Sequence, residues 1–156
     1  MSEIQYEDNR VQVKTEIQDS ILAFLDEIGG EFVSQTARNS RVKTGQTKGS
    51  WDYRVDEGNL EVSVGSALEN AIWEEFGTGE YALEGNGRKG GWYYVDEMGN
   101  GHFTKGKTPN RALHTAMETL KPKIQTAMEE KLKGLNRYGR NVDSHQFIDG
   151  KSWIEL

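Results

Sequence analysis

The sequence predicts an α+β domain in which two long helices pack on one face of a small antiparallel β-sheet. Three observations predict this class. Apolar residues recur at steps of three and four in two long stretches, which is the spacing of amphipathic helices. Between them, apolar and polar residues alternate in short runs separated by turn residues, which is typical of β-hairpins. The chain has 156 residues, enough for one domain with a core of its own.

The first helix is predicted from residue 9 to about residue 39, after a flexible N-terminal arm over residues 1–8. Asp8 or Asn9 can cap its start. Gly29-Gly30 lies inside the apolar stripe and costs roughly 1–2 kcal/mol relative to alanine. Because the stripe stays in phase, we predict one helix, bent at the glycines, which also let a neighbouring element approach closely. The stripe comprises Val13, Ile17, Ile21, Phe24, Leu25, Ile28, Phe32 and Thr36.

Two β-hairpins are predicted over residues 50–64 and 92–104, each with polar or glycine-rich residues at its turn. A basic loop over residues 40–49 precedes the first hairpin. Between the hairpins, residues 69–76 fit either a short helix or an irregular strand. Residues 81–91 form a loop that contains four glycines.

The second helix is predicted to begin at Thr108-Pro109, with Thr108 as N-cap and proline in the first turn. Pro122 lies inside its stripe, and a proline in a helix interior costs about 3 kcal/mol, so we predict a kink near Lys121. The single domain is predicted to span residues 9–135. A C-terminal tail or docking arm follows over residues 136–156. The stripe comprises Ala112, Leu113, Ala116, Leu120, Ile124, Ala127, Met128, Leu132 and Leu135.

Composition excludes several kinds of function. The chain has no cysteine, so disulfides and thiolate metal sites are excluded. Its net charge of −6 disfavours binding to phosphate backbones, which depends on lysine and arginine. No apolar run is long enough to span a membrane, and the polar, acidic N-terminus is no signal peptide. The mean hydropathy of −0.77 fits a chain that completes its burial in an oligomer, or one with polar tails.

The glycine-rich loop and the acidic residues of the middle segment carry no recognised catalytic or cofactor motif. The glycine-rich residues 85–91 lack the Lys-Ser/Thr of a phosphate-binding loop and enter a strand, which favours a mobile or interface loop. Glu74 or Glu75 could work with His102 in a small hydrolase, but no motif fixes such a pair, and a solvated acidic face is favoured. We therefore predict no enzyme activity, no cofactor and no metal ligand.

Two sets of residues are candidates for binding. The aromatic residues of the middle segment, such as Trp73 and Trp92, either fill the core or mark an interface, where tryptophan and tyrosine are enriched. A basic cluster around the first loop is a candidate contact for DNA or an acidic partner, the alternative being a solvated loop. Its members are Arg38, Arg41, Lys43 and Lys48.

Several motifs resemble the tail-component family of long-tailed, double-stranded-DNA bacteriophages over about residues 17–133. The motifs are VKTG at 42–45, IWEEFGTG at 72–79 and the run GGWYYVDEMGNGHFTKGKTPNRALHTAM at 90–117. Members of the family usually have Ala-Pro before the first motif, where this chain has Ser40-Arg41. Residues from 136 onward lie outside the resemblance.

The resemblance implies a non-enzymatic virion protein of the phage neck or tail, also described in the family as a minor capsid or head–tail joining protein. It would complete the tail or join it to the head connector as a subunit of a ring, expected to be a hexamer. The alternative roles are a head-side stopper or a tail terminator, and further alternatives are the small hydrolase and a DNA-binding module. The implied partners are other copies of the chain and neighbouring head-connector and tail proteins. DNA would pass through without specific binding, and the protein would be made in the host cytoplasm.

The candidate subunit interface lies in and around the glycine-aromatic segment. We expect Glu75–Gly79 and Trp92–Thr104, the parts most similar to the family, to be sheet and core. The loop between them, at about residues 80–90, is expected to reach another subunit. The candidate interface residues are Trp73, Glu75, Phe76, Tyr81, Leu83, Arg88, Lys89 and Trp92.

Overall fold

The structure, a computed structural model, describes residues 9–42 and 45–141, with side chains up to residue 135. The predicted arm over residues 1–8, Lys43 and most of the predicted tail lie outside the described residues. The elements in chain order are α1 (Arg10–Asn39), β1 (Trp51–Asp56), β2 (Glu61–Ser66), α2 (Glu69–Phe76), a 3-10 turn (Gly79–Tyr81), β3 (Trp92–Val95), β4 (Gly101–Thr104) and α3 (Ala112–Asn141). This combination of helices and antiparallel strands confirms the α+β class.

The chain divides into two compact units after Lys121, inside the domain predicted over residues 9–135. The first unit contains α1, both hairpins, α2 and the start of α3. The second unit, from Pro122 onward, is described only as helix. α3 is one continuous helix that contains Pro122.

The first hairpin packs against α1. β1 and β2 pair antiparallel with Trp51 opposite Ser66 and Val55 opposite Val62, and α1 contacts both strands. The approach is close at Gly29 of α1, where a Cβ atom would overlap the ring of Tyr53. The two glycines lower the helix propensity of α1, but the first of them, Gly29, leaves room for the Tyr53 ring.

A hydrogen-bonded chain joins the end of α1 to the first strand. The indole Nε1 of Trp51 donates to Ser40 Oγ at 2.9 Å, and Ser40 Oγ donates to the carbonyl of Thr36 at 2.8 Å. All three residues are buried. Trp51 is also part of the core cluster, which comprises Trp51, Ala71 and Ala112 with Val33, Ala37, Leu68 and Leu113 packed around them. The core thus draws on all three helices.

Three sequence-based expectations are corrected or decided by the structure. In the described residues, the strands form two separate two-stranded sheets instead of one small sheet. Residues 69–76 are helical, which settles the ambiguity left by their pattern and corrects the expectation that Glu75–Gly79 belongs to a sheet. The last helix begins at Ala112, so Thr108 is not its N-cap. None of the helices in the described ranges has a stretch that is both long and apolar enough to cross a membrane.

Candidate functional site

Glu75, in the middle of the IWEEFGTG motif, caps α3 from a different helix. Its side chain is only 8% exposed. The carboxylate accepts hydrogen bonds from the backbone N–H groups of Leu113 and His114, both at 2.9 Å. The first turn of a helix has unpaired donors and the positive end of the helix dipole, so a carboxylate is a favourable partner there. This contact explains why α3 begins at Ala112 and requires no local cap.

The neighbouring carboxylate, Glu74, is also held by structural contacts. It is paired with Lys107 Nζ, and Arg41 Nη1 lies 3.8 Å from its other oxygen. The Arg41 guanidinium in turn donates to the carbonyl oxygen of Thr108 at 3.1 Å and to its hydroxyl at 3.3 Å. Glu74 and Arg41 together therefore connect α2, the loop after α1 and the segment before α3.

The glycines of the same motif permit a crossing of two backbone segments. The N–H of Thr78 donates to the carbonyl of Lys107 at 2.9 Å, and the N–H of Lys107 donates to Thr78 Oγ1 at 2.9 Å. Gly79 and Gly106 have φ angles of +62° and +117°, and a Cβ on either would overlap the opposing backbone. The motif residues from Glu74 to Gly79 thus hold the segment that leads into α3.

The outer face of α2 and the loop after it enclose a groove of about 450 Å³, which we call the α2 groove. Ile72, Trp73, Phe76 and Leu83 are the large apolar side chains that line it. They are 46–53% exposed, and the neighbouring Tyr81 is 45% exposed. The groove is therefore a concave apolar surface that the described part of the chain leaves half uncovered.

The loop over residues 82–88, which forms one wall of this groove, is held in place by contacts with neighbouring segments. The N–H of Leu83 donates to the carbonyl of Phe76 at 3.0 Å. Gly87 packs against the backbone of Gly79 with no room for a Cβ. The Arg88 guanidinium lies over the ring of Trp92, 5.6 Å from its centroid. The loop therefore presents its residues in a defined arrangement.

The structure brings together four of the eight candidate interface residues, Trp73, Phe76, Leu83 and Arg88, in the wall of the α2 groove. Tyr81 and Lys89 are exposed, and Trp92 is half-buried beneath Arg88. Glu75 has a different position, because its carboxylate is buried against α3 and faces no partner.

The second hairpin is far more exposed than the sequence suggested. β3 and β4 pair with Tyr93 opposite Phe103, and these rings lie 4.9 Å apart. Tyr93 is 81% exposed, and Met98 at the turn is 88% exposed. Tyr93, Val95, Met98 and Phe103 form what we call the hairpin face. The sequence feature that accompanies this exposure is the run WYYV, in which no charged or strongly polar residue identifies a solvent-facing side of the strand.

The turn of this hairpin is organised by Asp96. Its carboxylate accepts from the N–H groups of Met98 and Asn100 at 2.9 and 2.8 Å, and it contacts His102 Nε2 at 2.8 Å. The hydrogen bond with His102, followed by that with the Asn100 N–H, lowers the pKa of Asp96 below its ordinary value. His102 thus serves the turn through Asp96, whereas the hydrolase alternative paired it with Glu74 or Glu75.

The basic cluster is only partly available to a partner. Arg41 is engaged with Thr108 and Glu74. Arg38 and Lys48 are exposed, and Lys43 lies outside the described residues. Within the described ranges, no three histidine or acidic side chains are arranged to hold a metal ion.

Comparisons with protein-family models, with curated proteins and with solved structures find no match to this chain.

Proposed function

We propose that this protein is a structural subunit of the neck or tail of a long-tailed bacteriophage, where copies form a ring that completes the tail or joins it to the head connector. One observation carries the proposal. The residues that resemble the tail-component family at Glu74–Gly79 hold the start of α3 in place, and the same segment leaves a large apolar groove exposed on its outer side. This combination suits a subunit whose work is assembly.

The size of the exposed surface supports an assembly role. Five large side chains on and beside the groove are about half exposed. Because a large aromatic or aliphatic side chain buries on the order of 150–250 Å² when it is covered, they present roughly 400–500 Å² of apolar area. Apolar patches of about 300–600 Å² are the largest on typical monomers and often mark interaction sites.

The alternative functions have weaker support from the contacts. A hydrolase that used Glu74 or Glu75 would need a free carboxylate, but these carboxylates cap α3 and bind Lys107. A DNA-binding module would need a basic surface, yet Arg41 of the candidate cluster is engaged within the chain. A head-side stopper or a tail terminator would use the same kind of surface, so these roles differ from the proposed one only in position within the particle.

The proposal is tested by complementing a phage that lacks this gene. Wild-type protein is expected to restore infectious particles, and labelled protein is expected at the head–tail junction. The Trp73→Arg variant, which places a charge in the α2 groove, is expected to give separate heads and tails. The matched control is Val42→Lys, since Val42 is exposed outside the groove.

Each outcome bears on the proposal. Infectious particles that contain none of the protein would refute it, as would full complementation by Trp73→Arg. Label on the head side of the junction would favour the stopper role, and label at the far end of a separate tail tube would also contradict the joining role.

A further inference from the structure

We propose that the hairpin face of one copy docks in the α2 groove of the next copy, so that successive subunits join head to tail. The inference deepens the proposed function and rests on it, because it names the partner of the groove. It concerns two apolar surfaces of the first unit, both formed by described residues.

The two surfaces present similar apolar areas. The α2 groove is concave, with a volume of about 450 Å³. The hairpin face projects four apolar side chains, of which Met98 at the turn is the most exposed. By the same area measure the groove and its edge present roughly 400–500 Å² of apolar area, and the hairpin face presents roughly 500 Å². A standard interface buries about 800 Å² per partner, of which about 56–65% is apolar, so one contact of this kind has the expected size.

The occupant is a second copy because one contact then covers both surfaces. A groove paired with an identical groove would leave Tyr93 and Met98 in water. A hairpin face paired with an identical face would leave Trp73 and Phe76 uncovered. Contact between two different patches of the same chain is heterologous, and it produces a ring when the rotation between copies closes.

Charge at the two edges favours the same pairing. The hairpin turn carries the exposed Glu97 beside Met98, whereas Arg88 and Lys89 lie exposed on the loop at the groove. Glu84 also lines the groove, and it accepts a hydrogen bond from Asn86 at 3.3 Å. Opposite charges at the rim of an interface steer the partners and fix their register.

The second hairpin is tied at its base to the groove wall, which orients one surface relative to the other. Arg88 of the groove wall lies over Trp92 of β3, and the N–H of Glu80, next to the groove residue Gly79, donates to the carbonyl of Lys105, directly after β4, at 2.8 Å. A hairpin held in this way sets a constant angle from one copy to the next, which closure of a ring requires.

Disulfide trapping tests the contact, since the natural chain has no cysteine. Met98→Cys and Leu83→Cys are made in separate preparations of the full chain, mixed and oxidised. We expect a linked one-to-one dimer in the mixture, at several times the yield of a control mixture of Val42→Cys with Leu83→Cys. A yield no higher than that of the control would overturn the proposal. Efficient linking of Leu83→Cys to itself would also overturn it, because that product requires groove-to-groove contact.

A second experiment tests the direction of assembly on folded variants, verified by circular dichroism. Tyr93→Lys damages the hairpin face and Ile72→Lys damages the groove, while Val42→Lys damages neither. In sedimentation at high concentration we expect both damaged variants to be monomers, and their mixture to stop at a dimer, because only one intact contact remains. A mixture that stays monomeric, or in which Tyr93→Lys alone still forms rings, would refute the head-to-tail contact.

The contact and the proposed function can fail separately. In phage particles that carry the Met98→Cys, Leu83→Cys double variant, oxidation is expected to give a ladder of linked oligomers. Particles that contain the protein but give no ladder would sink the contact and leave the function standing. Trapped dimers in solution, with protein absent from particles, would leave the contact and sink the function.

Discussion

Replacing Glu75 by alanine removes the carboxylate that accepts the backbone N–H groups of Leu113 and His114. The loss affects the start of α3 and also the core, because Ala112 and Leu113 pack with Trp51. The replacement therefore tests whether one side chain of α2 determines where the last helix begins.

The expected loss of stability follows from the two hydrogen bonds. Each hydrogen bond to a charged group contributes about 1.5–3 kcal/mol. A pocket of about 280 Å³ beside Glu75 and Leu113 can admit water to the freed amides, which reduces the loss. We expect Glu75→Ala to lower the free energy of unfolding by about 3 kcal/mol, and the melting temperature by about 6–12 °C for a chain of this size. Glu75→Gln keeps one acceptor oxygen and is expected to lose about half as much.

The assay is urea unfolding followed by tryptophan fluorescence, because Trp51 is buried in the affected cluster. Glu69→Ala is the matched control, since Glu69 is an exposed glutamate in the first turn of the same helix. The control is expected to stay within about 0.5 kcal/mol of wild type. A Glu75→Ala variant that also stays within that margin would show that α3 begins at Ala112 for another reason.

Three further outcomes follow from single contacts. Gly29→Ala is expected to destabilise the protein by about 1–3 kcal/mol because its Cβ overlaps the Tyr53 ring. Gly30→Ala, whose Cβ would have nothing within 4 Å, is expected to increase the free energy of unfolding by about 0.5–1 kcal/mol. Equal stabilities of the two variants in thermal unfolding would contradict this. The Tyr53 hydroxyl donates to Asp26 at 2.8 Å, and this hydrogen bond raises the pKa of Tyr53 above 10.0. The contribution of the bond to stability is present below pH 10.0 and is lost as the pH rises through the folded pKa. Asp26→Asn should therefore bring the pKa of Tyr53, measured by phenolate absorbance, back toward 10.0. The pKa of Asp96 is lowered, so its contribution to stability is present above pH 3.8 and is lost as the pH falls through the folded pKa. The NMR chemical shifts of the turn amides should titrate with a midpoint below pH 3.8. A midpoint at or above pH 3.8 would refute the role of Asp96 in the turn.

The predictions that succeeded rest on local patterns. The stripe from Val13 to Thr36 predicted α1 almost to its ends, although Asn9 makes no side-chain cap hydrogen bond. The alternation around Trp51 and Val64 predicted the first hairpin to within about two residues of its observed ends. These patterns report on residues close in the chain, where helix and strand periodicity has a direct geometric cause.

The sequence by itself determined the α+β class, the two long helices, both hairpins and the absence of cysteine chemistry. Tertiary structure decided where α3 begins, because the cap of that helix is Glu75, a residue 39 positions before His114. It also decided which aromatic residues remain exposed. Trp51 and Tyr93 both lie in aromatic strands of two-stranded hairpins, yet α1 contacts the strands of the first hairpin while the hairpin face of the second remains exposed. Exposure depends on what packs against a strand, and that partner is not encoded in the strand's own pattern.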